Sequence, residues 1–248
     1  MSGHSKWATI KHKKAALDAK RGKAFTRIIK EITIAARGGG DPEANPRLRT
    51  AVLAAKAASM PAENIKRAIQ RGSGGLEGGQ FEEIMFEGYG PGGTAILVEV
   101  ATDNRNRTVS EIRHMFSKHG GKLGEQNSVA RLFVRKSQVL IPIEKATEEQ
   151  LMNVVLDAGA EDIREDGVNW EVLSPTDAHE AVLTALQKAG IATSEAQLAR
   201  IPNTLIKLDA KDAATMLKLN EVLEDYEDVQ NVYANFDIDD SVMETLAQ

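Results

Sequence analysis

The chain has 248 residues, 42 % of them apolar and only 4 % aromatic, with a formal net charge of −5; it is long enough for two or three domains and too apolar for a disordered polymer. It contains no cysteine, which excludes disulfides, zinc–thiolate sites and a thiol nucleophile and fits a reducing compartment. The longest apolar stretch, TAILVEVA, is short and carries Glu99, so no segment reads as a bilayer span, and the basic N-terminus has no apolar core behind it to make a secretory signal.

Residues 1–22 carry few apolar side chains. KAFTRIIKEITIAAR then sets Phe25, Ile28, Ile29, Ile32 and Ala36 on one side at helical spacing, and the glycines at 38–40 stop that helix. NPRLRTAVLAAKAAS starts a second helix with Asn45 as N-cap, Pro46 at its first position and Leu48, Val52 and Ala55 facing inward. MPAENIKRAIQRG repeats the device, with Pro61 near the start, Gly72 past the end and Ile65 and Ile69 inside. These helices predict a small helical bundle, and SGGLEGG at 73–79 predicts a flexible joint. FEEIMFEGYGPGGTAILVEVATD reads as two strands around a glycine turn, NRNRTVSEIRHMFSKHGG as a helix and SVARLFV as a strand. From 137 to 201 the order is β-α-β-β-α-β, the ferredoxin-like succession. NTLIKL, DAATMLKLNEVLEDY and VQNVYANFDI give strand, helix and strand, read as partners of the sheet begun at 81–134. The ferredoxin-like unit is then an insertion; a tandem order is the alternative.

Charge is divided unevenly. Residues 1–71 hold 16 Lys/Arg against 5 Asp/Glu, a balance of +11, while residues 72–248 hold 15 against 31. Such a split points to one part that meets a polyanion. Lys6, Lys13, Lys20 and Arg27 fall at steps of seven and form one stripe if residues 9–30 are helical, with Lys23 and Lys30 close beside it. Like charges so placed repel unless an anion neutralises them, and nucleic-acid phosphate does so. Lys11, Lys14 and Arg21 add to the cluster, and Lys56, Lys66, Arg67 and Arg71 extend it onto the later helices. Trp7 and His12 lie among these cations, placed to stack on an unpaired base or to anchor the arm. The structural alternative is a solvated, mobile terminal segment.

The other motifs are weaker. GYGPGG lacks the Lys-Ser/Thr of a phosphate loop and reads as a hairpin turn needing positive φ. In TDNRNRT, Asn104 or Asn106 can cap the following helix, and Arg105 and Arg107 sit at its N-terminus either as an anion site or as ordinary surface arginines. His114 and His119 are five apart, unlike a metal pair on one helix face, and His179 reads as a surface residue. No zinc finger, RNP signature, nucleophile elbow or dinucleotide fingerprint occurs, so the sequence nominates no catalytic residue, metal ligand or cofactor. The acidic stretch EVLEDYEDVQ reads as a solvated surface, a face that repels nucleic acid, or a seat for a basic protein partner.

SGHSKWATIKHKKAALDAKRGKAFTRI, GGGDPEANPRLR, KAASMPAENIKRAIQRG, FEGYGPGG, VEVATDNRNRT and GGKLGEQNSVARLF together resemble the YebC/PmpR family, whose mitochondrial relatives include the translational activator of cytochrome c oxidase. The resemblance runs through nearly the whole chain and is most specific over residues 2–134. It implies an α+β fold of three domains: a basic helical domain at 1–75, a discontinuous α+β middle domain at 80–135 plus 203–240, and a ferredoxin-like domain at 136–202 inserted into it. It also implies a non-enzymatic regulator of gene expression, either a transcriptional regulator on promoter DNA or a translation factor on ribosomal or transfer RNA at the ribosome. Starting directly at SGHSKW, the chain resembles a bacterial, cytoplasmic member. The expected nucleic-acid contacts are Lys6, Trp7, Lys11, His12, Lys13, Lys14, Lys20, Arg21, Lys23, Arg27, Lys66, Arg67 and Arg71, with Arg105 and Arg107 in second rank. A basic arm with an aromatic leans toward RNA. No cofactor or membrane is expected, and a monomer is favoured. The reading from another class is a scaffold that binds protein through the ferredoxin-like domain.

Overall fold

The computed structural model describes residues 17–75, 81–239 and 241–243. Three helices come first: α1 (Leu17–Ala35), α2 (Pro46–Ala57) and α3 (Ala62–Gly72). The chain continues through β1 (Glu82–Tyr89), β2 (Ala95–Thr102), α4 (Arg105–Lys118), β3 (Lys122–Leu123), β4 (Phe133–Pro142), α5 (Glu148–Val155), β5 (Asp162–Asp166) and β6 (Asn169–Ser174). It ends with α6 (His179–Lys188), β7 (Glu195–Pro202), β8 (Ile206–Lys207), α7 (Ala210–Asp225), β9 (Val229–Ala234) and β10 (Phe236–Asp237).

The three helices start and stop where local chemistry directs. The Asn45 side chain accepts the Leu48 N–H at 3.1 Å with Pro46 at the first position of α2, which satisfies an otherwise orphaned donor. Ile32, Leu48 and Ala55 are wholly buried together with Ile65 and Ala68, and Phe25, Ile28, Ile29 and Ile69 pack around them. Gly72 is the last residue of α3 rather than a stop beyond it. Its role is close approach: a Cβ there would lie 2.1 Å from the Thr33 carbonyl oxygen of α1.

The first sheet has the order β3-β1-β2-β9. β1 and β2 form an antiparallel hairpin whose turn needs Gly92 and Gly93 at φ 66° and 76°. On one face α4 and α7 bury Phe86, Ile96, Val98, Ile112, Phe116, Met216 and Leu219. SVARLFV does not supply a strand to this sheet. The buried Glu87 carboxylate accepts the N–H groups of Asn127, Val129 and Ala130 at 2.7–2.8 Å and holds residues 127–130 out of the sheet, with Asn127 at φ 66°. The short β3 takes the edge instead, and the strand beginning at Phe133 belongs to the second sheet. NTLIKL also stays out of the first sheet; β8 pairs in parallel with β10 as a separate ribbon.

The second sheet has the order β5-β6-β4-β7 with antiparallel neighbours, the arrangement of a split βαβ unit. α5 and α6 cover one face over Val139, Ile141, Leu151, Val172 and Leu186. β4 is one strand from 133 to 142, and its pairing with β7 runs from Phe133–Pro202 to Leu140–Glu195. The two strands therefore continue through residue 135 toward the first sheet, where Phe133 and Ala199 pack on Leu97 and Tyr233.

His179, a surface residue by sequence pattern, is buried at the start of α6, its Nδ1 2.8 Å from the Ser137 hydroxyl. Burial pushes its pKa below the ordinary value, outweighing Glu180, which raises it. A neutral imidazole is thus built into the fold. Its contribution to stability is complete above the unfolded value of about 6.5 and is lost as pH falls through the lower folded value, at up to about 1.4 kcal/mol per pH unit. Urea unfolding between about pH 7.5 and pH 5 should show this loss, and His179→Asn should remove that component of it.

Candidate nucleic-acid interface

α1 is helical from Leu17, so Lys20, Lys23, Arg27 and Lys30, spaced by three and four, share one side of it. Lys6, Trp7, Lys11, His12, Lys13 and Lys14 lie outside the described residues, and Lys20 and Arg21 fall in the first turns of the α1 backbone. The C-terminal half of the stripe faces protein. Lys23 Nζ lies 3.1 Å from Asp225 Oδ1, with both side chains about half exposed. Arg27 is half-buried and its Nη2 donates to the Glu224 carbonyl; burial lowers its pKa, and Glu224 and Asp225 oppose this. Lys30 is buried, and its ammonium donates to Ala101 O at 3.1 Å, Glu227 O at 2.9 Å and Asp228 Oδ1 at 2.8 Å. The acidic stretch at the end of α7 and just beyond it, expected to be a solvated face or a partner's seat, receives this chain's own basic helix.

Asp228 organises the junction. Its Oδ1 takes Lys30, while its Oδ2 accepts from Thr102 at 3.0 Å, Thr108 at 2.8 Å and Arg107 at 2.8 Å. Burial alone would raise this carboxyl, but the hydrogen bonds from Lys30, Arg107 and Thr108 prevail and hold its pKa at about 2. The stability it lends is present above the ordinary carboxyl range and is lost as pH falls through about 2.

Asn104 caps α4 by accepting the Arg107 N–H at 3.1 Å. The two arginines beside that cap already have anionic partners. Arg105 pairs with Glu82 at 2.5 Å, and Arg107 bridges Asp228 and Asp103. Arg47, which no sequence pattern singled out, joins Glu31 of α1 at 2.8 Å to Glu83 of β1 at 2.6 Å. Lys56, Lys66 and Arg67 are exposed on α2 and α3 and make no ion pair among the described residues. Arg71 is half-buried, its Nε without a hydrogen-bond partner among the described residues. Sequence reasoning also missed Lys30, Thr102, Thr108 and Asp228 as one cluster, because partners up to 198 residues apart leave no local pattern.

Among the described residues no three acidic or histidine side chains come together to hold a metal ion, and no helix is long and apolar enough to cross a membrane. What the described surface offers chemically is positive charge on α2 and α3, in Lys56, Lys66 and Arg67, which make no ion pair among the described residues.

Residues 5–75 match the family description "TACO1/YebC protein N-terminal domain", and residues 81–236 match "TACO1/YebC second and third domain". The chain is 67 % identical over 248 residues to a "Probable transcriptional regulatory protein" of Solibacter usitatus, covering 100 % of each. It is 62 % identical to a similarly named protein of Koribacter versatilis, again over 100 % of each. A crystal structure of a conserved hypothetical protein from Aquifex aeolicus superposes with a TM-score of 0.85 at 45 % identity, covering 92 % of this chain and 94 % of that one.

Proposed function

Because the chain belongs to the TACO1/YebC family, we propose that it is a regulator of gene expression that grips nucleic acid with its N-terminal cations. The names of its relatives, probable transcriptional regulatory proteins, support the regulatory role. The observation that carries the site is the concentration of 16 Lys/Arg in the first 71 residues of a chain that is negative overall. Lys6, Lys11, Lys13, Lys14, Lys20 and Arg21 neutralise phosphates, with Lys66, Arg67 and Arg71 extending the track. Trp7 and His12 make stacking or anchoring contacts, which favours an unpaired RNA strand over duplex DNA. Lys23, Arg27, Arg105 and Arg107 already hold anionic or carbonyl partners, so they serve phosphate only by exchanging them.

The organisation that suits this role is a basic helical domain at 1–75, a discontinuous middle domain at 80–135 plus 203–240, and a ferredoxin-like domain at 136–202 within it. Separate apolar clusters in the bundle and behind each sheet support that division. The protein works in the cytoplasm as a monomer, without a cofactor.

Binding over a salt series tests the reading. If about six phosphates are engaged, log K should fall with log salt at a slope near −5 on duplex and near −4 on a single strand. A slope near zero on every nucleic acid offered sinks the proposal. Co-sedimentation with ribosomes decides for translation, and strong preference for one promoter over random duplex decides for transcription.

A further inference from the structure

We infer that the acidic segment 224–228 acts as an internal stand-in for phosphate, holding the C-terminal half of the α1 stripe until a polyanion displaces it. The inference rests on the reading of α1 as a phosphate-binding helix and adds its regulation. Three successive members of one cationic side meet this one segment: Lys23 on the Asp225 carboxylate, Arg27 on the Glu224 carbonyl, and Lys30 on the Glu227 carbonyl and the Asp228 carboxylate. Three cations thus share two carboxylates and two carbonyls, an arrangement that a run of phosphates matches with full charge.

The contact is built to open. The apolar core of the bundle and that of the first sheet are separate clusters, and among the described residues the two bodies are tied by the ion pairs Lys23–Asp225, Lys30–Asp228 and Arg47–Glu83 and by hydrogen bonds from Arg27 and Lys30 to the carbonyls of Ala101, Glu224 and Glu227. Polar junctions of this kind permit one body to reorient on another. An open cleft runs along the seam, lined by Lys23, Thr26, Arg27, Asp225, Tyr226 and Glu227. Exchange therefore starts at the exposed Lys23–Asp225 pair and proceeds inward to Lys30. When Lys30 leaves, Asp228 still accepts from Thr102, Thr108 and Arg107, so the body keeps a satisfied carboxylate. The released ammonium passes to water or phosphate, which avoids leaving a bare buried charge on either side.

The chain's lack of cysteine allows a clean test on the full protein. Glu63→Cys on α3 and Asp177→Cys beside α6, both exposed in the structure, carry a donor–acceptor dye pair. A single-stranded RNA and a duplex DNA of about 20 nucleotides per strand, enough to span several phosphate contacts, serve as probes. The expected result is a fall in energy transfer that saturates with binding. Asp225→Asn should tighten binding about twofold to fivefold, as loss of one exposed pair implies, while Asp239→Asn, which neutralises an equally exposed carboxylate paired with Lys207, leaves it unchanged. If a probe binds but energy transfer stays constant, the inference is overturned and the nucleic-acid reading stands. Equal tightening by both substitutions also overturns it, since net charge alone would then explain the effect. If neither probe binds, the functional reading itself fails and takes the inference with it.

Discussion

Reversing Lys6, Lys13 and Lys20 to glutamate is expected to weaken binding of a single-stranded RNA by roughly a hundredfold or more near 0.1 M salt, and to flatten the log–log salt slope by about 2. Steps of seven return to nearly the same side of a helix. α1 is helical from Leu17 onward, which sets Lys20 at helical spacing from Lys23, Arg27 and Lys30; Lys6 and Lys13 repeat the step of seven in the sequence. Lys23, Arg27 and Lys30 are engaged at 224–228, and the proposed phosphate contacts precede them in the sequence. On a single strand, every phosphate that is no longer neutralised lowers the slope by about 0.7, and reversal adds repulsion on top. Among the described residues the apolar cluster of the bundle is built from residues 25–69, downstream of all three replacements, so the helical signal and unfolding midpoint should be unchanged. Reversal of Lys56, Lys66 and Arg67 should cost less, because those cations lie further along the track. Binding of the triple variant at wild-type strength would show that the head of the chain does not hold nucleic acid.

Much of the fold was legible in the sequence because short-range chemistry determines it. Asn45 followed by Pro46, and Asn104 before a helical pattern, are caps whose partners lie three residues away. The glycine turn at 90–94 joins two antiparallel strands, and β-α-β-β-α-β could be counted along 137–201. Pattern and structure part where a distant group overrides local preference. SVARLFV has strand propensity, yet the Glu87 carboxylate, some 40 residues earlier, takes three N–H groups in and beside it and keeps its first residues out of a strand, which begins only at Phe133. His179 stands between acids in the sequence, yet packing against Ser137 on β4 buries it. The site was legible as charge but not as geometry. Composition locates the cations; it does not reveal that the acids of 224–228 lie against them, because that match is made by tertiary folding across nearly 200 residues. Charge balance alone suggests an acidic body that stays clear of a basic head, whereas part of that body seats the C-terminal half of the head's main helix.

The second large effect concerns the two halves of the buried pair, which should not be equivalent. Asp228→Ala removes the acceptor for four donors at once: the Lys30 ammonium, the Arg107 guanidinium and the Thr102 and Thr108 hydroxyls. A buried ammonium left with only the Ala101 and Glu227 carbonyls, its carboxylate gone, should cost about 3–5 kcal/mol. Lys30→Met instead removes one donor, fills the same channel with an unbranched apolar chain, and leaves Asp228 with three donors. The body should then lose no more than about 1 kcal/mol, because the desolvation of the ammonium disappears along with its attraction. Denaturant melts followed on the sheet signal should separate the two variants clearly. Adding Lys30→Met to Asp228→Ala should restore part of the loss, since the stranded cation is gone. Equal destabilisation by the two single substitutions would mean that the ion pair, rather than the carboxylate and its four donors, is what the junction is built around. A larger loss for Lys30→Met than for Asp228→Ala would reverse the assignment and make the ammonium the anchor.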